Sequence, residues 1–363
     1  MGVETYRCTT VRRYDVTFTY NVASWRRSVV PVASWRRTAV SSHPVNSSLR
    51  IEQRRGERTE TVHRVHVAVV DAQGALVARA GDPDLVTFWR SAAKPFQALP
   101  IVLDGAAEEF QLDATHLALA CASHSSEPGQ VERVREFLAR IGATESDLQC
   151  GPHTPLSEAV ARNYRARSVE LTAVYSNCSG KHTGMLALAR HHGWLIADYH
   201  RLQHPVQQRC LREVARWTDM NEVAIGTAVD GCGVVCYALP VRRMALAYAR
   251  LASADVIPQA MLAHPELIAG EGRPCTEMMR AFPSRLIAKV GAEGVYSGLV
   301  LPERLGVSLK VEDGHGLAAA LAMASVLGQL GLTPQPDSLQ SRTNYNTRGE
   351  VVGELRVFGA LER

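Results

Sequence analysis

The sequence predicts an α+β fold in which an antiparallel sheet is flanked by helices. Two observations lead to this prediction: strand patterns lie near both ends of the folded part of the chain, and helical patterns fill the region between them. Strands from the two ends can then pair into one sheet, with the intervening helices packed against it.

The expected strands are short apolar runs bounded by turn residues. The segment VHVAVVDAQGALVARAGD (Val65–Asp82) divides into two such runs around Asp-Ala-Gln-Gly, which predicts two strands joined by a tight turn. Further strands are expected in GTAVDGCGVVCYALP (226–240), GVYSGLVLP (294–302) and GELRVFGALE (353–362).

Two segments show helical patterns of different kinds. In PGQVERVREFLARIG (Pro128–Gly142) the apolar residues recur at helical spacing and predict an amphipathic helix. The alanine-rich segment GLAAALAMASVLGQLGL (Gly316–Leu332) is apolar on all sides and predicts a buried helix. No run of about 18 uncharged apolar residues occurs, so no membrane span is expected.

Charge is distributed unevenly along the chain. Of 40 basic and 36 acidic residues, residues 1–43 hold seven arginines and two acids, which leaves 33 basic and 34 acidic residues in the remainder. A body with nearly balanced charge gives no electrostatic reason to expect nucleic acid as a partner. Residues 1–43 also repeat VASWRR within a few residues, and we interpret them as a dispensable low-complexity extension before a single domain over 44–363.

The cysteines indicate a reducing compartment. Eight of them are scattered through 363 residues, whereas disulfide scaffolds are usually short and cysteine-dense. We therefore expect free thiols and a cytoplasmic location.

A serine and a lysine are spaced for nucleophilic catalysis in RSAAKPFQALP. Ser91 and Lys94 are three residues apart, so on a helix they share one face, and a lysine whose pKa is depressed can deprotonate a serine. The alternative is an ordinary surface pair, and Pro95 fits a helix only if the helix starts or kinks there.

Two later segments favour the catalytic interpretation. ACASHSSEPG ends an apolar run in hydroxyls that include Ser123, and AKVGAEGVYSG places Lys289 on an expected strand beside glycines. Penicillin-recognising serine enzymes use an S-x-x-K element, a serine-led loop and a K-x-G strand in this order, although Ser125 stands where their loop usually has asparagine.

The stretch YSNCSGKHTGM (Tyr175–Met185) is open to several interpretations. A phosphate-binding loop is excluded because His182 stands where that motif requires serine or threonine. Cys178 could be a nucleophile beside His182, or could form half of a metal site with Lys181 and a distant cysteine from DGCG. From spacing alone, a buried glycine-rich turn with inert thiols is equally favoured.

Together the motifs RSAAKPFQALP, ASHSSEPG, YSNCSGKHTGML, DGCGVV and KVGAEG closely resemble the rhizobial-type, Ser-Lys L-asparaginase family. The resemblance runs from about Pro44 to the C-terminus. It implies a serine-β-lactamase-like fold, usually a homodimer, that hydrolyses L-asparagine to L-aspartate and ammonia.

The resemblance also implies roles for individual residues. Ser91 corresponds to the nucleophile, Lys94 to its base, and Ser123 with Lys289 to a second Ser-Lys pair. Arg90, His182 and Asp230 are expected beside the substrate. Cys178, Lys181 and Cys232 match the positions that bind one zinc ion per chain.

Two other kinds of function compete with this expectation. In a zinc hydrolase the metal would generate the nucleophilic hydroxide and the Ser-Lys motif would be incidental. A zinc-binding or thiol-redox protein would release no ammonia from any amide. Glutaminase activity is a further alternative, because glutamine is one methylene longer than asparagine and one methylene changes substrate discrimination by only about 1–3 kcal/mol. β-Lactam activity is another alternative.

Overall fold

A computed structural model describes residues 48–363, and the predicted extension over residues 1–43 lies outside them. The strands of the described part are β1 (Leu49–Arg55), β2 (Arg58–Val70), β3 (Leu76–Ala80), β4 (Val86–Phe88), β5 (Gly226–Val229), β6 (Val235–Pro240), β7 (Leu286–Gly291), β8 (Val295–Val300), β9 (Leu305–Val311), β10 (Ser341–Tyr345) and β11 (Val351–Gly359). The helices are α1 (Lys94–Leu103), α2 (Ala106–Glu109), α3 (Ala114–Cys121), α4 (Pro128–Arg140), α5 (Glu158–Ala166), α6 (Ser179–His191), α7 (Pro205–Thr218), α8 (Val241–Leu251), α9 (Val256–Ala263), α10 (Pro265–Ile268), α11 (Pro274–Ala281) and α12 (Gly316–Gln329).

Most of the strands form one large antiparallel sheet. Its order is β10-β11-β1-β2-β9-β8-β7, and β3 pairs with the second half of β2. Strands from the two ends of the described chain therefore lie side by side, as β1 does between β2 and β11. The predicted α+β fold with an antiparallel sheet and flanking helices is confirmed.

Both faces of the large sheet are covered by helices, because alternate residues of a strand point to opposite faces. In β2, Ala68 and Val70 pack in a small cluster with Leu246 of α8. The alternate residues Val67 and Val69 instead belong to the main hydrophobic core, to which α12 contributes. The central strands are therefore held between α8 and the helices of the main core.

A smaller sheet carries one side of the site described below. Its three strands are ordered β4-β6-β5, and β6 is buried between the other two. The loop between β5 and β6 (230–234) turns back on itself, because the N–H of Gly233 donates to the carbonyl of Asp230 at 2.9 Å. The predicted strands in 226–240 are thus confirmed, and their connection is a tight turn.

The sequence located the helices better than the first strands. The amphipathic helix is α4, and Val131, Val134, Phe137 and Leu138 are its buried apolar residues. The first strand was expected near Val65, but β2 begins at Arg58 and pairs with β1 around a turn at Gly56. This hairpin was missed because its sequence is polar and the first five residues of β2 are exposed.

The alanine-rich segment forms the predicted buried helix, α12, which ends at Gln329. Within residues 48–363, no helix combines the length and the apolar character needed to cross a membrane.

Gly306 in β9 permits the close approach of α8 to the sheet. A Cβ atom at this position would lie 1.8 Å from the carbonyl oxygen of Ala245 and 2.5 Å from the backbone nitrogen of Ala249. Because both atoms belong to the helix backbone, no side-chain rotation can relieve the overlap. The absence of a side chain at this position is thus a requirement of the packing.

We predict that Gly306→Ala lowers the free energy of unfolding by about 3 kcal/mol or more, because it overpacks a rigid contact. Gly129→Ala is the matched control, since a Cβ atom there would meet nothing within 4 Å. Urea unfolding of both variants measures the difference. Equal stability of the two variants would show that α8 does not depend on this contact.

Candidate active site

The segment that carries Ser91 is a tight turn leading into a helix. Arg90–Ala93 form a 3-10 turn, and α1 begins at Lys94 with Pro95 in its first turn. Proline is favoured at this point because the first helical N–H groups have no partner inside the helix. The conflict raised by Pro95 is resolved, since Ser91 lies before the α-helix and not within it.

Buried contacts hold this turn in place. The indole N–H of Trp89 donates to Ser297 Oγ at 3.0 Å, and the hydroxyl of Tyr248 donates to the carbonyl of Ala92 at 2.8 Å. The ring of Trp89 stacks on Phe96 with 4.8 Å between centroids. Arg90 has a φ of 54°, a left-handed conformation that is uncommon for residues with a side chain and concentrates at functional sites.

Ser123 lies between two buried lysines. Lys94 Nζ is 3.0 Å and Lys289 Nζ is 2.8 Å from Ser123 Oγ. The backbone N–H of Ser123 donates to the carbonyl of Ile268, which fixes the loop after α3. The three residues come from α1, this loop and β7, so the two predicted Ser-Lys elements meet in one cluster.

The electrostatics of this cluster favour a neutral amine. Burial, together with the charge of Lys94, lowers the pKa of Lys289 to about 7. A neutral amine can accept a proton, which an ammonium group cannot. Ser91 Oγ has no hydrogen-bond partner among the described residues, and the amine of Lys94 bonds the carbonyl of Ala122 and Ser123 instead.

Ser91 lines a pocket of about 290 Å³, whereas Lys94, Ser123 and Lys289 are buried and are not among its lining residues. The pocket also brings in residues from β5–β6, from the start of α6 and from the loop after β7. Its lining residues are Arg90, Ser91, Gly151, Pro152, His153, Leu156, Ser176, Asn177, Cys178, Asp230, Gly231, Cys232 and Ala292.

An ion pair lies at one wall of the pocket. Arg90 Nε donates to Asp230 Oδ1 at 2.8 Å, and the N–H of Gly231 donates to the same oxygen at 2.8 Å. Burial acts in the opposite direction, but the charges of Lys181 and Arg90 hold the pKa of Asp230 below its usual value. The pocket therefore presents a guanidinium group and a carboxylate side by side.

Cys178, Lys181 and Cys232 converge although they are distant in sequence. Lys181 Nζ donates to Cys232 Sγ at 3.0 Å, the Cys178 thiol donates to Asn177 Oδ1 at 2.9 Å, and both cysteines line the same pocket. Interaction with Cys178 lowers the pKa of Cys232, and the same interaction, reinforced by burial, raises the pKa of Cys178 to about 12. A thiol with a raised pKa is a poor nucleophile, which argues against Cys178 as the catalytic group.

This trio suits a zinc ion chemically. Two sulfur donors and one amine nitrogen lie within contact of one another, and a catalytic zinc site commonly has three protein ligands and one open position. Among residues 48–363, no three His, Cys, Asp or Glu side chains form such a cluster, because the third donor here is a lysine.

His182 is fully buried on α6, and its neighbours were not predicted. Its Nδ1 lies 2.6 Å from the hydroxyl of Tyr199, and its Nε2 has no hydrogen-bond partner among the described residues. Burial lowers the pKa of His182 to about 3, so the ring is neutral. Sequence spacing gave no sign of Tyr199, which lies in a loop 17 residues away.

One signal in the composition could have marked the site. Lysine occurs at only four positions, 94, 181, 289 and 310, among 40 basic residues. The first three are 0, 3 and 0% exposed and all lie in the site. Lysine is almost never buried without a function or a partner. In a chain whose other basic residues are arginine, the few lysines are therefore candidate site residues.

Comparison with known proteins adds a sequence family. A model of the family described as L-asparaginase II matches residues 51–357, which is most of the chain. Among curated proteins, no sequence match was found.

Several solved structures are similar to this chain at low sequence identity. A protein provisionally described as a β-lactamase from Bacteroides dorei DSM 17855 is 10% identical, with a TM-score of 0.40 over 73% of this chain and 93% of that one. A β-lactamase from Mycobacterium bovis is 14% identical, with a TM-score of 0.33 over 73% and 94% of the two chains. An octameric penicillin-binding protein homologue from Pyrococcus abyssi is 13% identical, with a TM-score of 0.33 over 73% of each.

The lowered pKa of Lys289 predicts how stability depends on pH. The amine titrates near pH 7 in the folded chain and near 10.5 when unfolded, so between these values the unfolded state binds more protons. Stability should therefore rise with pH across this window. In Lys289→Met this contribution is absent, so the difference in unfolding free energy should move in favour of the unmodified chain as pH rises from about 7 to 10.5.

Denaturant unfolding at several pH values measures this difference. A difference that stays constant, or that moves in favour of Lys289→Met as pH rises, would show that the amine is not buried in the way the structure indicates.

Proposed function

Because the chain belongs to the L-asparaginase II family, we propose that it hydrolyses L-asparagine to L-aspartate and ammonia through a serine acyl-enzyme. The family implies an asparaginase-type amidohydrolase that acts on small amide substrates. The observation that supports the Ser-Lys mechanism is that Ser91 lines the pocket three residues before Lys94, whose amine belongs to the buried cluster with Ser123 and Lys289.

In the first step, Ser91 Oγ attacks the side-chain amide carbon of the substrate. The hydroxyl proton passes to Lys94 and onward through Ser123, and the neutral amine of Lys289 is the final acceptor of this proton relay. The C–N bond then breaks, the same proton goes to the departing nitrogen, and ammonia leaves. The product of the step is an ester between Ser91 and the aspartyl group.

In the second step, water attacks this ester. The lysine cluster accepts the proton of the water and returns a proton to Ser91 Oγ as the ester bond breaks, which restores the starting state. Ser91 and Ala292 both line the pocket, and their backbone N–H groups are the proposed donors to the oxyanion in both steps.

The ion pair at the pocket wall suits the two charged groups of an amino acid. Asp230 can accept hydrogen bonds from the α-ammonium group, and the guanidinium of Arg90 can donate to the α-carboxylate. Glutamine carries the same two groups, so this wall alone does not select asparagine. Selection would depend on the distance from this wall to Ser91.

We propose that Cys178, Lys181 and Cys232 hold one zinc ion per chain. When bound, the ion would supply positive charge beside the pocket and help to position the substrate. The residues of the reaction itself would remain Ser91 and the lysine cluster, which already provide a nucleophile and a base. A homodimeric assembly, which rests on the family resemblance, and a cytoplasmic location, which rests on the scattered cysteines, belong to the same proposal.

The zinc-hydroxide alternative assigns no purpose to the lysine cluster. A buried amine with a pKa near 7 needs a costly environment, and such groups concentrate at catalytic sites. The Ser-Lys mechanism uses this group, so we favour it over metal-hydroxide chemistry.

Ser91→Ala should abolish ammonia release from L-asparagine while the fold is retained, because it removes the nucleophile without disturbing the core. The measurement is an ammonia assay combined with circular dichroism. The control is Ser253→Ala, since Ser253 is exposed and bonds only the carbonyl of Arg250. Turnover by the Ser91 variant would contradict the assignment.

Replacing Cys178 or Cys232 by serine should lower the zinc content of the purified protein, as measured by elemental analysis. The control is Cys121→Ser, a buried thiol beside Lys94 and Lys289 that should leave zinc unchanged. Full zinc occupancy in both ligand variants would place the ion elsewhere.

A further inference from the structure

The imidazole of His182, which directly follows Lys181 on α6, carries a buried nitrogen without a partner among the described residues. The ring is 0% exposed, and its Nε2 is a buried polar atom that meets no hydrogen-bond partner in the described part of the chain. Leaving a buried polar group unpaired is unfavourable, because the group has lost its hydrogen bonds to water. Such a buried group requires an explanation, and an acceptor that arrives from outside the protein supplies one.

The hydrogen bonds of Tyr199 determine which ring nitrogen carries the proton. The Tyr199 hydroxyl accepts from the backbone N–H of Gln149 at 3.0 Å, and it lies 2.6 Å from His182 Nδ1. If Tyr199 donates to Nδ1, the only unpaired group is the Nε2–H of His182. If Nδ1–H were the donor instead, the Tyr199 proton and the Nε2 lone pair would both be buried without partners.

The first arrangement leaves fewer buried groups unpaired and is therefore favoured. Burial also raises the pKa of Tyr199, which keeps the proton on its hydroxyl. The side-chain amide of Gln207 donates to the carbonyl of Tyr199 at 2.9 Å and holds its backbone. Tyr199 is thus hydrogen-bonded both to Gln149, which precedes the pocket-lining residues 151–153, and to the ring of His182.

The position of His182 connects this donor to the reacting groups. His182 lies one helical turn after Cys178 on the same face of α6, and its backbone N–H donates to the carbonyl of Cys178 at 3.0 Å. The charges that act on its ring include those of Lys181, Cys178 and Lys94. His182 also directly follows Lys181, and α6 packs against α1, which begins at Lys94, so the ring is near both the proposed zinc ligands and the lysine cluster.

We propose that Tyr199 is a positioning residue that locks His182 in the Nε2–H tautomer, so that His182 donates a hydrogen bond to an oxygen atom in the site and does not act as a base. The oxygen belongs to the amide substrate or to the water that attacks the acyl-enzyme. The identity of the acceptor rests on the proposed function, whereas the tautomer does not.

The tautomer can be measured directly in the full chain. Nitrogen NMR of the protein labelled with ¹⁵N-histidine distinguishes Nε2–H from Nδ1–H, and His182 is identified by the signal missing in His182→Gln. We expect Nε2–H in the unmodified protein and loss of this preference in Tyr199→Phe, with Tyr345→Phe as the exposed control. Nδ1–H in the unmodified protein overturns the proposal.

A matched pair of substitutions tests the donor. The amide of glutamine reaches the position of Nε2 and can donate there, whereas the amide of asparagine reaches only the position of Nδ1. We expect His182→Gln to keep kcat/KM within about tenfold and His182→Asn to lose on the order of a hundredfold, the effect typical of losing one donor to a reacting oxygen. Equal activity of the two folded variants overturns the proposal.

Two kinetic patterns identify the acceptor. If it is a substrate oxygen, His182→Asn should raise KM or slow acyl-enzyme formation. If it is the hydrolytic water, the loss should lie in kcat, and mass spectrometry should detect the accumulated aspartyl ester on Ser91. Absence of ammonia release from the unmodified chain would refute the proposed function, and the NMR result would still test the tautomer.

Discussion

The site depends on one buried interaction, the contact of two lysine amines with the hydroxyl of Ser123. Lys94 and Lys289 both lie within 3.0 Å of this oxygen, on elements nearly two hundred residues apart in the chain. Two ammonium groups this close in a buried environment repel each other, so burial and Lys94 together lower the pKa of Lys289. The fold thereby favours a neutral amine at Lys289.

The scaffold maintains this contact by fixing each of the three elements separately. The turn before α1 is held by Trp89 and Tyr248, the Ser123 loop by the carbonyl of Ile268, and β7 by its ladder with β8. Close packing of α8 on the glycine of β9 sets the position of Tyr248. A change in the core packing can therefore displace the lysine amines by shifting the backbone segments that carry them.

A second group of charged side chains, beside the pocket, is stabilised by the pairing of opposite charges. Arg90, Asp230, Lys181 and Cys232 form a chain of alternating charges in which each group has an opposite neighbour. Pairing with an opposite charge offsets the desolvation cost of each buried group, and the lysine cluster takes no part in it. A zinc ion on Cys178, Lys181 and Cys232 would take the place of the extra proton on the lysine. In the proposed function, chemistry and substrate positioning belong to separate groups of residues.

The sequence by itself determined the fold class, the amphipathic and buried helices, and the motifs that carry Ser91, Ser123, Lys289 and the cysteines, because spacing and apolar periodicity are local properties. It did not reveal the hairpin of β1 and β2, whose polar residues lack the alternation of a half-buried strand. Only the tertiary structure decided that Ser123 bridges both lysines, that α1 starts at Lys94, and that Tyr199 contacts His182. These are contacts between distant segments, and their energies arise from burial and from hydrogen bonds that exist only after the chain has folded.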